Sequence, residues 1–402
     1  MGTNRNGAAM RTARPIGLYV HVPFCQHKCA YCDFYSVVTL EAMERYVEAL
    51  CREIALRAEF GAANAEVVTV FWGGGTPSLL TPAQVEQIAR ALSDTFRFAS
   101  DVEWTIEANP GTISMDKLRL YRQLGVNRLS FGVQSFDEHE LRFLERIHTV
   151  TEAEEAINSA RAAGFDNINL DIMYALPGQE PQRHKRNLER ACRLGTDHIS
   201  AYSLVYEPGT PLYTRRQRGQ IIPLNDEQEA MLYAMTVAIL EDHGFRQYEV
   251  SNFAREGKQC RHNLLYWHRG EYVGFGPSAH SHWENVRWSN VRNIHRYVEA
   301  LKRGELPIAQ KEQLSEQEQR TEYVFLGLRA DGIELQSVVE WVGSDHAGDV
   351  LRLIEQWAYA GWATIEQGWI HLTSAGYAIC DALTVELLDV LDRAHEAIFT
   401  HR

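Results

Sequence analysis

The chain has 402 residues, 45% of them hydrophobic and 23% charged, and a formal net charge of −13. That length exceeds what one hydrophobic core usually serves, so a large domain with a smaller companion is expected. The acidic balance argues against a nucleic-acid partner, because it repels phosphate backbones, and no apolar run approaches the roughly 18 residues of a membrane span.

Residues 1–14 carry Arg5, Arg11 and Arg14 but no apolar stretch. They read as a flexible leader rather than a secretory signal, and a cytoplasmic protein is expected. A strand over Gly17–His21 follows and runs directly into Val22-Pro23-Phe24-Cys25-Gln26-His27-Lys28-Cys29-Ala30-Tyr31-Cys32-Asp33-Phe34. A second strand, Val67–Trp72, leads into Gly73-Gly74-Gly75-Thr76-Pro77. Thr81-Pro82-Ala83-Gln84 is a capping box with proline at the first helical position, and Val85, Ile88, Ala89 and Leu92 then mark one buried helix face. Strands are expected over Val102–Glu107, Arg128–Val133, Asn167–Ile172 and His198–Val205. Helices between them end at Gly125 and Gly164, as helix C-terminal glycines do, and Thr151–Glu154 reads as another capping site. Six strands with helical crossovers make an α/β fold with a parallel sheet, open or closed part-way into a (βα)6 barrel. Ligands in such folds sit at the C-terminal strand ends, which is where the cysteine run falls.

Beyond residue 250 the pattern changes. Asn252–Trp288 is rich in His, Tyr, Trp and Gly and reads as irregular. Helices are expected over Glu312–Leu328, Ser337–Ala358 and Thr373–Leu391, with a short hairpin over Trp362–Leu372. The expected division is a core over 15–250, a linking region over 251–310, and a mostly helical, winged-helix-like domain over 311–402. The acidic balance and lack of a basic cluster argue that this last part does not bind DNA.

Seven cysteines, an odd number, fit reduced thiols better than a disulfide framework. Cys51, Cys192 and Cys380 share stripes with apolar neighbours and read as core, whereas Cys260 has no evident place. Cys25, Cys29 and Cys32 form a C-x3-C-x2-C run. Cubane clusters normally take four thiolates. Three on one loop can hold three irons of a [4Fe–4S] cluster and leave the fourth open, where S-adenosylmethionine can bind through its amino and carboxylate groups. A zinc site with His21 or His27 as fourth ligand is the alternative. The glycine triplet can bring backbone close to a ligand and present N–H and C=O groups, or it is a tight turn.

These motifs resemble the radical S-adenosylmethionine superfamily. With Leu18–Cys25, Ile106–Pro110, Phe131–Ser135 and Asp171–Gly178, the chain is similar over about residues 16–400 to the branch of oxygen-independent coproporphyrinogen III oxidases and HemW-type heme chaperones. The resemblance implies that Tyr19, Gly74 and Glu107 hold the cluster-bound S-adenosylmethionine. It matches Tyr31, Gly75, Thr76, Gln134, Arg146 and Asp171 to positions that hold a second one in the oxidase. Where the oxidases carry a fourth cysteine, this chain has Phe34, and only a short leader precedes Ile16. Both departures resemble the chaperones, as does His262-Asn263-Leu264-Leu265-Tyr266-Trp267, which matches their H-N-x-x-Y-W motif linked to heme. His262 would then ligate heme iron, with Tyr266 and Trp267 against the porphyrin; His280 is a nearby alternative ligand. The implied function is a heme chaperone handing heme to an acceptor protein such as a respiratory enzyme, and the resemblance also implies a homodimer. A coproporphyrinogen oxidase and a heme-modifying methyltransferase are the alternatives.

Overall fold

The computed structural model describes residues 13–62 and 65–400. Six strands lie side by side in chain order and pair in parallel: β1 (Arg14–Val22), β2 (Ala65–Gly74), β3 (Phe98–Ala108), β4 (Arg128–Gln134), β5 (Ile168–Tyr174) and β6 (His198–Ser203). All six expected strands are present, and only the last is shorter than expected. Sequential order in a parallel sheet, with a helix in each crossover, is the arrangement of a partial barrel.

The strand alternation separates the two faces. Leu18, Val20, Val70, Trp72, Ile106, Phe131, Leu170 and Ile199 belong to one buried apolar core. The intervening residues, in register across the sheet, are Tyr19, Thr69, Glu103, Glu107, Ser130, Asn169, Asp171, His198 and Ser200. Polar side chains on an enclosed face are costly unless they bond to one another or to a ligand. This concave face is therefore chemistry rather than core.

The stretch Asn252–Trp288 is not irregular. After β7 (Arg246–Gln247) it supplies β8 (Asn252–Ala254), β9 (Glu271–Phe275), β10 (His280–Trp283) and β11 (Val286–Asn290), and β12 (Ile308–Gln313) completes a twelve-stranded sheet. β9 pairs in parallel with β1, and β10 to β12 continue antiparallel from it. These strands are short and mixed in polarity, so tertiary pairing defines them. Buried Glu53 helps to fix them, accepting from the Gly276 N–H at 2.8 Å, the Asn290 amide at 2.8 Å and the Tyr297 hydroxyl at 2.7 Å.

Residues 1–12 of the expected leader lie outside the described residues; Arg14 already belongs to β1 and pairs with Glu271 at 2.6 Å. The expected capping box at Thr81 forms, with Gln84 as its partner. The one expected at Thr151 forms two residues earlier, between Thr149 and Glu152. The last part has its own core, including Val324, Ile354, Trp357 and Leu387. Helices Glu316–Gly327, Leu335–Val342, Ala347–Tyr359 and Cys380–Thr400 accompany the hairpin Ala363–Glu366/Trp369–Leu372. The hairpin is as expected, but the helix expected over Ser337–Ala358 is broken at Gly343, whose φ is 72°, and that over Thr373–Leu391 is split into Ser374–Tyr377 and Cys380–Thr400. The helix expected from Glu312 starts at Glu316, because Ile308–Gln313 extends the sheet instead.

Candidate functional site

The cysteine loop is closed at its neck. Cys25 N–H donates to the Val37 carbonyl at 3.0 Å, and Val37 N–H returns a bond to Pro23 at 2.7 Å. Phe24 is buried edge-on against Tyr46, with ring centroids 5.3 Å apart. Both ends of the loop are thereby tied to β1, and Cys25, Cys29 and Cys32 lie between them.

The glycine triplet presses on this neck. A Cβ on Gly75 would fall 2.7 Å from the Phe24 carbonyl oxygen and 2.8 Å from that of Val22. One on Gly74 would meet the His21 ring at 2.5 Å. The close approach that glycine permits is thus to the chain's own loop. The Gly75 N–H donates to Val22 at 2.8 Å and that of Gly74 to the Glu107 carboxylate at 3.2 Å.

Two cysteine sulfurs are joined by a chain of hydrogen bonds. Thr76 Oγ1 donates to Cys25 Sγ at 3.6 Å and accepts from Asn109 Nδ2 at 3.1 Å. Asn109 Oδ1 accepts from Arg146, whose other nitrogen donates to Cys29 Sγ at 3.6 Å. Arg146 is aimed by a further bond to the Gly132 carbonyl at 2.7 Å. Donors directed at sulfur suit thiolates ligated to iron and tune a cluster's potential. Asn109 was legible only as part of Ile106–Pro110, with no role assigned. The histidines that would complete a zinc site are engaged elsewhere. His21 bonds the Tyr35 carbonyl at 2.8 Å and the Tyr19 hydroxyl at 3.1 Å, and His27 faces Glu145 at 3.4 Å. Among the described residues no group of three His, Cys, Asp or Glu converges on a single ion.

The polar concave face opens beside this loop. Glu107 sits near the end of β3, and burial, with Asp171 repelling it, pushes its carboxyl up to about 8. Burial also raises Asp171, which accepts from Asn169 at 2.8 Å. Two carboxyls held above their ordinary range in one chamber suit a cationic, hydroxyl-bearing ligand. Gln134 closes β4 with φ of 68°, a left-handed conformation that a non-glycine residue adopts at a cost of order 1–3 kcal/mol. Tyr31 lies beside Arg146, and burial raises its hydroxyl well above the usual phenol value. Tyr19, Glu107, Gln134 and Asp171 thus come from β1, β3, β4 and β5, and Arg146 joins them from a loop after β4.

His262 is placed differently. The helix Arg261–Trp267 plugs the concave face, where Glu103 accepts from the N–H groups of Arg261 at 3.1 Å and His262 at 3.2 Å. Cys260, left without a place by the sequence, directs its thiol to the same carboxylate. His262 is 1% exposed, with one ring nitrogen 2.8 Å from Thr69 Oγ1 and the other 2.8 Å from the Tyr266 hydroxyl. Burial lowers its pKa to about 3, so the ring is neutral. Tyr266 faces outward into a cavity of about 420 Å³ that Tyr19, Phe34, Tyr35 and His280 also line. His262 and Trp267 are not part of that wall.

The model of the radical SAM superfamily matches residues 19–191. The chain is 34% identical over 361 residues to the heme chaperone HemW of Bacillus subtilis (strain 168), covering 89% of this chain and 95% of that protein. The chain belongs to the HemW family. It is also 39% identical over 332 residues to the heme chaperone HemW of Mycobacterium tuberculosis (strain ATCC 25618 / H37Rv), covering 80% and 84% of the two chains. The Escherichia coli coproporphyrinogen III oxidase HemN, described as a radical SAM enzyme, superposes with a TM-score of 0.81 at 25% identity, covering 94% of this chain and 91% of that one. Membership of the radical SAM superfamily implies a [4Fe–4S] cluster and S-adenosylmethionine as cofactors. The donor set fits both: sulfur-directed donors surround the cysteine loop, and raised carboxyls line the chamber beside it. Phe34, two residues after Cys32, is 63% exposed at the cavity's edge. No helix among the described residues is long and apolar enough to cross a membrane.

Proposed function

We propose that this chain is a heme chaperone that binds heme beside a [4Fe–4S] cluster with S-adenosylmethionine and passes the heme to an acceptor protein in the cytoplasm. The observation that carries the reading is kinship along nearly the full length of curated heme chaperones, coupled to a closed three-cysteine loop. In this reading Cys25, Cys29 and Cys32 hold the cluster. Tyr19, Gly74 and Glu107 position S-adenosylmethionine, with Tyr31, Gly75, Thr76, Gln134, Arg146 and Asp171 around it. Held by Cys25, Cys29 and Cys32, a reduced cluster would be able to supply an electron to a sulfonium bound beside it. The residues of this chain bind and orient, and Glu107 holds or releases a proton at its carboxyl.

The H-N-x-x-Y-W helix acts on heme chiefly through Tyr266, which faces the cavity. His262 positions that hydroxyl. The second reading, a coproporphyrinogen oxidase, is favoured by the HemN-like fold. One experiment separates the two: anaerobic reconstitution, then parallel assays of coproporphyrinogen turnover and heme uptake. Stoichiometric heme uptake without turnover is expected, and turnover would move the chain to the oxidases. Serine at Cys25, Cys29 or Cys32 should abolish the iron–sulfur absorbance; a variant that keeps four irons would sink the ligand assignment.

A further inference from the structure

The cavity beside the cysteine loop has a second wall that the motifs do not describe. β9, β10 and β11 carry the concave face of the barrel outward. Tyr272 on β9 is in register with His282 on β10, and His282 with Arg287 on β11. His280 and His282, two residues apart on one strand, face the same cavity. The opposite wall is Asp33–Tyr35, immediately after Cys32.

His282 is only 4% exposed. Its Nδ1 lies 3.2 Å from the Gly270 carbonyl, which fixes the proton on that nitrogen. Its Nε2 has no hydrogen-bond partner. A buried ring nitrogen left unpaired is costly. A histidine that donates one N–H to a carbonyl and keeps the other nitrogen as a free base has the arrangement of a metal ligand. Burial, with Arg287 nearby, holds its pKa below the ordinary imidazole value, so the ring is available as a neutral base. His262 lacks this arrangement, since both its nitrogens are taken.

The charge in the wall points to an anionic ligand. Arg287 pairs with Glu322 at 2.7 Å, and Arg269 approaches the same carboxylate at 3.5 Å. Arg292 donates to a carbonyl, that of Asp33, at 2.6 Å. Arg269, Arg287 and Arg292 all line the cavity, with Asp33 as the acidic residue beside them. Tyr266 and Tyr272, edge to face at 4.5 Å, add flat apolar surface. A volume of about 420 Å³ lies in the range of small-molecule sites, roughly 300–1,000 Å³.

We infer that this cavity is the heme seat, with His282 as the iron ligand and Arg287 and Arg292 on the two propionates. The inference rests on the chaperone reading above and moves the iron from the H-N-x-x-Y-W helix to β10. The site places bound heme against the loop that carries the cluster.

The test is anaerobic heme titration of the full reconstituted chain, read by absorption and magnetic circular dichroism. H282A should lose the histidine-ligated spectrum and bind heme at least about tenfold more weakly, with its cluster absorbance intact. The unaltered chain should bind heme at least about tenfold more tightly than heme dimethyl ester, and the R287Q/R292Q double variant should lose that preference. The ester comparison needs no variant to fold, and equal binding of the two by the unaltered chain overturns the propionate assignment. A histidine-ligated spectrum kept by H282A but lost by H280A or H262A overturns the iron ligand. Heme uptake unchanged in every variant overturns this site alone. Failure of the unaltered chain to take up heme overturns the chaperone reading and this site with it.

Discussion

Arg146 directs a guanidinium N–H at the sulfur of Cys29, 3.6 Å away, from a position held by the Gly132 carbonyl and by Asn109. The contact links the loop after the helix Glu138–Phe143 to the cysteine loop across 117 positions of sequence. A cation and a donor at a cluster sulfur favour the reduced, more negative state. R146Q should lower the cluster's potential. A charge-assisted hydrogen bond of roughly 1.5–3 kcal/mol, felt mainly by the reduced state, corresponds to a shift of about 65–130 mV for one electron. Anaerobic spectroelectrochemistry measures it; an unshifted potential would detach Arg146 from the cluster.

Glu107 makes stability depend on pH in a definite direction. An unfolded glutamate ionises near 4.5, whereas the folded one keeps its proton until about 8, chiefly because it is buried. Between those values the unfolded chain binds fewer protons, so the ligand-free chain loses stability as pH rises. E107Q cannot ionise and should escape that loss. It should exceed the unaltered chain by about 1–3 kcal/mol at pH 8, and by little at pH 5, in denaturant melts of ligand-free protein. The same variant should bind S-adenosylmethionine at least about tenfold more weakly, as measured by calorimetry. A stability difference that does not grow with pH would show that Glu107 ionises normally.

Gly75 tests whether the triplet serves the loop. The Cβ of G75A would lie inside contact distance of two backbone oxygens, and neither can rotate away. Forced overpacking of this kind costs typically 1–3 kcal/mol. G75A should therefore lower the melting temperature and hold less than a full complement of iron after reconstitution. G111A is the control, since its added methyl meets nothing within 4 Å. Equal iron content in the two variants would argue that the triplet does not shape the cysteine loop.

Much of this site is written locally and some of it is not. The spacing of Cys25, Cys29 and Cys32 is visible without a fold, and so is the helix start at Thr81, because both depend on residues a few positions apart. Two overlapping threonine starts, Thr149 and Thr151, offer similar capping chemistry. Burial of Val150 as the first helical residue accompanies the earlier one, and burial is a tertiary quantity. β9 and β10 are not legible because Tyr-Val-Gly-Phe and His-Ser-His-Trp lack the alternation that marks a half-buried strand. Their register comes from β1 and from Glu53, more than 200 positions away. His282 was hidden for the same reason: an orphaned Nε2 is defined by what surrounds it.

His262 supplies the last prediction. Its two ring nitrogens join Thr69 on β2 to Tyr266 on the plug helix, and its own N–H is held by Glu103 on β3. Removing the ring leaves the buried Thr69 hydroxyl without a partner, at a cost of about 1–3 kcal/mol, frees the partly buried Tyr266 hydroxyl, and opens a cavity beneath Tyr19. H262A should therefore melt several degrees lower than the unaltered chain and weaken heme binding by freeing Tyr266. Its bound heme should still show a histidine-ligated spectrum, because the ring is bonded within the fold and not aimed at the cavity. H262N, which keeps a donor and an acceptor, should recover part of the lost stability. Thermal melts beside heme spectra of the two variants decide the matter. A loss of histidine ligation in both, with melting temperatures unchanged, would return the iron to His262.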